Sequence, residues 1–210
     1  MTELSPGFLL AFLPELLAGM AVNFEISAIA LVLGLVLGLL LARAELAGGL
    51  ARRLAGGATA LMRAAPTFVV MFFLLNVIPR GATLWGVPVA PSPLMTVALS
   101  LLPYSAAYVA DNAAEAMRQW RAGAPEAALL FLPNLMRAFF VMVMSSGAGA
   151  AIDVTEGIAV ILREADRLPT LGQQMVLYGI GIALFGACLQ LGFALVRAAQ
   201  RALGRRLVPA

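Results

Sequence analysis

Long apolar runs alternate along the chain with short, arginine-bearing polar segments. A helix that crosses a membrane needs ~20 mostly apolar residues. Five runs meet that length: about 24–42, with the core AIALVLGLVLGLLLA; 58–78, entering through RAAP and continuing TFVVMFFLLNVI; 93–116; 128–151; and 173–196. An earlier stretch, GFLLAFLPELLAGMA, is shorter and carries Pro14 and Glu15. That length suits a segment lying at the membrane surface, so residues 1–22 are predicted to be interfacial. No internal repeat is visible, which disfavours an inverted-repeat secondary transporter. Residues 1–210 therefore read as a single transmembrane domain.

Composition agrees with this pattern. Hydrophobic residues make up 62% of the chain before glycine is counted, and only 12% are charged. Soluble domains hold about 45–50% apolar residues with glycine included. With a mean hydropathy of +0.95, the sequence describes an all-α integral membrane protein. It has no His, and its single cysteine, Cys188, lies in an apolar run, which excludes a disulfide framework and a Cys/His metal site. The net charge of +3 does not suggest nucleic acid as a partner, because the arginines flank apolar runs. No basic residue precedes Arg43, so the N-terminus lacks the positive region of a signal peptide.

Charge then orients the spans. Arg43, Arg52, Arg53 and Arg63 stand against Glu45 in one connection, and Arg118, Arg121 and Arg137 against Glu126 in another. The tail adds Arg197, Arg201, Arg205 and Arg206. The alternate connections are poorer: Glu3 and Glu15, Arg80 alone, then Arg163 and Arg167 beside Glu164 and Asp166. The positive-inside rule places the arginine-rich segments in the cytoplasm, with the N-terminus outside and the C-terminus inside.

Several motifs resemble the transmembrane permease subunits of ABC importers, in particular the polar amino-acid (histidine/glutamine-type) branch. LLAGMAVNFEISAIALVLGLVLGLLLA is similar to that family's first core helix. In LMRAAPTFVVMFFLLNVIP, Arg63 and Pro66 match its R-G-T-P entry, with Ala64-Ala65 in the middle. LSLLPYSAAYVADNA resembles the helix ending A-Y-x-x-E, with Ala107 and Tyr108 retained and Asp111 in the Glu place. DVTEGIAVI is similar to a weakened K-D-T-S-L-A-S-V-I, and ALGRRLVP to L-E-R-R-L. The five motifs come in the family's order, from about Leu16 onward.

The family's cytoplasmic loop carries G-Q-x-E-A-A, a short helix, then L-P, and that helix docks on the ATPase subunit. GAPEAA here retains Gly123, Glu126, Ala127 and Ala128, and FLPNLMR matches the L-P-x-x-x-R that follows. Only Leu129, Leu130 and Phe131 lie between them, so by this register the docking helix is deleted. A second register takes Glu115-Ala116-Met117 as the Glu-Ala-Ala and shortens the path from Tyr108 instead. The first matches more fully. On either, the stretch from Tyr108 to Pro133 is shorter than the family's: the second keeps a rough docking helix, EAMRQWRAGAPEAALL, whereas on the first the resemblance implies a small or displaced ATPase contact, made by Trp120, Arg121 and Glu126 at the membrane rim. The commoner role for Trp120 is an interfacial anchor, and for Glu126 a helix first-turn acid after Pro125 is an equal alternative.

Three acids are candidates for a solute path. Asp111 and Glu115 share one helix face, with Glu115 near enough to Arg118 to form a rim pair and Asp111 deeper. Ionisable groups within a span usually face a cavity or a partner. Asp153 and Glu156, at the outer end of the fourth span, could line a vestibule favouring cationic solutes, or sit in a solvated turn. Asp111 with Asp153 also raises an intramembrane aspartyl protease, a reading weakened because GAG does not close onto Asp153 as Gly-x-Gly-Asp. The small residues of SSGAGAA, 145–151, suggest close helix packing. Met71, Phe72 and Phe73 suggest lipid-facing or packing positions.

The resemblance implies a permease subunit that moves a polar solute, an amino acid, by alternating access. No GxxxxGK[ST] phosphate loop is present, so ATP and Mg²⁺ would belong to a partner chain and no cofactor to this one. The implied partners are a second permease subunit, expected to be a different chain, ATP-binding cassette subunits and an external solute-binding protein in a bacterial inner membrane. The alternative is a degenerate relative serving as a structural or regulatory membrane subunit.

Overall fold

The computed structural model describes residues 4–78, 81–88 and 90–207. Glu3 and Arg80 lie outside the described residues.

Helix α1 (Pro6–Ala47) is unbroken over 42 residues, a length of about 63 Å at 1.5 Å per residue. Ser5 caps it, its Oγ accepting the Phe8 N–H, and Pro6 stands at the first turn where no N–H is needed. The segment expected to lie at the interface is thus the first half of this helix, passing through Pro14 without a break. Its buried positions include Gly19, Asn23, Ser27, Ala30, Gly34, Gly38 and Ala42, a stripe of small side chains at helical spacing. Its later part, with Gly34 and Gly38, lets α1 lie close against α4 (Pro93–Arg121). A Cβ at Gly38 would sit 2.6 Å from the Val109 Cβ, and one at Gly34 would collide with Ser105. Close approach over small residues, with the dispersion contacts it brings, holds helices together where lipid removes the hydrophobic drive between them.

The run 58–78 is not one straight span. Helix α2 (Gly49–Ala64) and helix α3 (Thr67–Val77) are bent by 95°. Pro66 is the cause: it cannot donate to the previous turn, and it holds Ala65 extended at φ −76°, ψ 113°. The RAAP motif marks the start of α3, while residues 58–64 belong to α2. On its other side α2 leaves α1 through Gly48 and Gly49, at φ 81° and 57°, a left-handed pair that glycine tolerates. In α3, Met71 is fully buried against α1 and α4, whereas Phe72 and Phe73 are exposed.

A two-residue hairpin (Thr83–Leu84 with Val87–Pro88) precedes α4. Short helix α5 (Pro125–Ala128) leads into α6 (Phe131–Ser145) and a 3₁₀ segment, Ser146–Ile152. Gly147 and Gly149 of that segment pack against Ile158, Val154 and Val97. Next comes α7 (Gly157–Ala165), a helix that span counting does not anticipate, and then α8 (Leu171–Leu207). Four stretches are each long and apolar enough to cross a membrane: Pro6–Ala47, Pro93–Arg121, Pro125–Ile152 and Leu171–Gly204. Taken together as one bent unit, α2 and α3 make a fifth.

The core has three parts along the bundle. Phe12, Leu16 and Met20 of α1 pack on Val160 and Ile161 of α7 and on Leu177 and Phe185 of α8. Ile26 and Ala30 meet Met71, Val97, Leu101 and Met142. Ala42 meets Val109, Ala113 and Ala114.

Candidate functional site

The three acids of the expected solute path go to three different settings. Asp111 sits on the exposed side of α4 and accepts a hydrogen bond from the Arg63 guanidinium at 2.6 Å. The pair joins the last turn of α2 to α4, beside Tyr104, Ala107 and Tyr108. Arg63 and Asp111, drawn from two separate motifs, are therefore partners.

Asp153 ends the 3₁₀ segment in a left-handed conformation, φ 64°. It borders a cavity of about 610 Å³ with Phe72, Ile78, Pro91, Thr96 and Ile152. This is the largest of the described cavities, and among the described residues Asp153 is the charged side chain on its wall. An acid on an apolar wall can attract a cationic group, the property expected of a vestibule.

Glu156 does not face that cavity. It is fully buried and caps α7, its carboxylate accepting the backbone N–H groups of Ile158 and Ala159 at 2.8 Å each. The same carboxylate accepts from the Asn23 amide at 2.7 Å. Asn23 also donates to Ser146 Oγ at 2.8 Å and accepts the Gly157 N–H at 2.8 Å. The Ser146 hydroxyl in turn donates to the Val143 carbonyl at 2.8 Å. Four elements thus meet in one water-excluded polar knot with every partner satisfied, the condition under which buried polar groups are tolerable. Space for it comes from glycine: a Cβ at Gly19 would lie 2.9 Å from the backbone of Glu156 and Gly157. Sequence reasoning passed over Asn23 and Ser146. The available signal was an Asn inside an apolar run, which must find a partner.

Asp111 and Asp153 line separate cavities, Asp111 already paired with Arg63, so the two carboxylates of an aspartyl protease are not assembled.

The loop after α4 is compact. Gly123, at φ 78°, closes α4: Ala124 N–H donates to the Gln119 carbonyl at 3.0 Å and Gly123 N–H to Trp120 at 3.1 Å. This is the helix end for which a left-handed glycine is suited. Pro125 and Glu126 then open α5, a single turn ending at Ala128. Leu129 N–H bonds back to the Pro125 carbonyl, and α6 starts at Phe131 with Pro133 in its first turn. Trp120, Arg121 and Glu126 are exposed, whereas Ala127 and Ala128 are half-buried. No helix of two or more turns projects from 122–130. Beside it, Glu115 pairs with Arg118 at 3.1 Å, and Arg118 reaches Glu45 of α1 at 3.3 Å.

No family model matches the chain, and no curated protein does. A solved structure, described as the crystal structure of an amino acid ABC transporter with histidines, superposes with a TM-score of 0.70. The likeness covers 96% of this chain and 100% of that one at 18% sequence identity. At that identity the shared property is the fold: the helices of this chain are arranged as in an amino acid ABC transporter.

Proposed function

We propose that the chain is a transmembrane permease subunit of an ABC importer, moving a polar solute, an amino acid, by alternating access driven by a separate ATPase subunit. The observation that carries this reading is the end-to-end likeness to the amino acid ABC transporter structure. The family motifs at Arg63–Pro66, Ala107–Tyr108 and Gly123–Ala128 support it independently. ATP hydrolysis is assigned to a partner, since this chain carries no phosphate loop motif.

In this reading Asp153, on the wall of the cavity beside α3 and α4, meets a cationic solute, and Glu126 with Trp120 and Arg121 meets an ATPase. The complex in this reading holds a second permease chain, two ATP-binding cassette subunits and an external solute-binding protein, in a bacterial inner membrane. The test is to purify the chain with its native partners, reconstitute the complex in vesicles, and measure ATP-dependent uptake of labelled amino acids. Uptake that requires this chain supports the proposal. Uptake that continues without it would make the chain a structural or regulatory subunit.

A further inference from the structure

Helix α2 buries one narrow face and exposes the rest. Ala55 and Thr59 are buried against the bundle. Arg52 and Arg53 are exposed, with no acidic side chain within salt-bridge distance among the described residues. Leu50, Leu54 and Leu61 form an apolar stripe at helical spacing, exposed by 70%, 65% and 74%. The helix turns 95° from α3, which packs Met71 against α1 and α4. If α3 runs along the membrane normal, α2 lies in the membrane plane, on the arginine-rich side of the bundle.

We infer that α2 is a lipid-binding helix lying in the interface of one leaflet, with Leu50, Leu54 and Leu61 among acyl chains and Arg52 and Arg53 against anionic headgroups. Three large leucines this exposed would not be left in water. Arg53, three residues after Leu50 and next to the stripe, chooses the occupant, with Arg52 adding charge at the helix start, because a phosphate-bearing lipid surface matches both the charge and the apolar stripe. Nearby, Arg63 is held by Asp111, and Arg118 by Glu45 and Glu115, whereas Arg52 and Arg53 have no such pair among the described residues. The inference does not depend on transport; it requires only that the chain sits in a bilayer.

The experiment uses the full chain with Cys188→Ser and a single fluorophore on Leu54→Cys. The chain is reconstituted in phosphatidylcholine vesicles containing increasing brominated phosphatidylglycerol or brominated phosphatidylcholine. Both brominated lipids should quench the label, and aqueous acrylamide should not. Phosphatidylglycerol should act at about fivefold lower membrane fraction per engaged arginine. In Arg52→Gln/Arg53→Gln that preference should disappear while quenching by phosphatidylcholine persists. Quenching by acrylamide alone would place the stripe in water. Protection from every quencher would mean that a second copy or another protein covers it. Equal quenching by the two lipids in the parent, or a preference that survives the double substitution, would remove the arginines' role. Each of these overturns the inference.

Discussion

The Asn23 amide donates to the Glu156 carboxylate at 2.7 Å across 133 positions of chain, with both side chains fully buried. This contact ties the middle of α1 to the start of α7. Replacing Asn23 with Leu would leave the Gly157 N–H without an acceptor and remove one donor from a buried carboxylate. The cost of such unsatisfied groups is about 2–3 kcal/mol. Ser27→Ala is the comparison, since Ser27 Oγ only donates to the Asn23 carbonyl within its own helix. Thermal unfolding in detergent should show Asn23→Leu well below Ser27→Ala. Equal midpoints would mean that the knot does not hold α7 in place.

Two glycines should respond oppositely to one added methyl. A Cβ on Gly38 would lie 2.6 Å from the Val109 Cβ and 2.7 Å from the Ala106 carbonyl oxygen, so α1 and α4 must separate. Gly38→Ala is expected to destabilise by about 1–3 kcal/mol. A Cβ on Gly56 in α2 meets nothing within 4 Å. Gly56→Ala should be neutral or stabilising by up to ~1 kcal/mol, through the restricted unfolded chain. The measurement is the same melt, and the reverse order would refute the close α1–α4 packing.

The Arg63–Asp111 pair is short but exposed, with side-chain exposures of 62% and 45%. Pairs of this kind are worth about 1 kcal/mol or less. Arg63→Ala, Asp111→Ala and the double substitution form a cycle whose coupling energy should stay below that figure. A larger coupling would mean that the pair is buried by something this chain alone does not supply.

The apolar runs located the long helices because membrane length and helix rise fix how many apolar residues a crossing needs. Pro125 helped, opening α5 as expected of a first-turn proline; Pro6 and Pro93 stand at first turns too, a signal the sequence reading left unused. The turn at Ala65–Pro66 was misjudged, since residues 58–62 are as apolar in composition as those after Pro66 and composition carries no direction. Helix α7 was hidden for a different reason. Its nine residues are too short for a period to stand out, and its cap is Glu156, a residue type easily taken for a solvated acid. Nothing local to Asn23 names Ser146 or Glu156, which reach it from distant segments only when α1, the 3₁₀ segment and α7 pack together.

Topology has its own check. With Cys188 replaced by Ser, single cysteines at Gly7 and Leu203 should react with a membrane-impermeant reagent from opposite sides, Gly7 from outside. These positions stand near the start of α1 and the end of α8. Reaction of both from one side would leave an even number of crossings and remove the bent α2–α3 unit as a span.

The sharpest prediction concerns the short loop. Between Gly123 and Phe131 the chain makes one turn of helix, Pro125–Ala128, and Leu129 lies against Gly204 near the end of α8. About a dozen further residues would be needed for a projecting docking helix, ~18 Å at 1.5 Å per residue. Trp120, Arg121 and Glu126 are exposed at this end of α4 and α5, together with Arg118 and Leu130. An ATPase contact confined to these side chains is small, so force should reach the pore mainly through the partner permease. Trp120→Ala/Glu126→Ala in the reconstituted complex should therefore lower solute-stimulated ATP hydrolysis only modestly, by about threefold or less, in line with the loss of peripheral contacts. The matching substitutions in the partner's loop should abolish most of it. Near-complete loss from this chain's double substitution would show that the single turn at Pro125–Ala128 is itself a full coupling element.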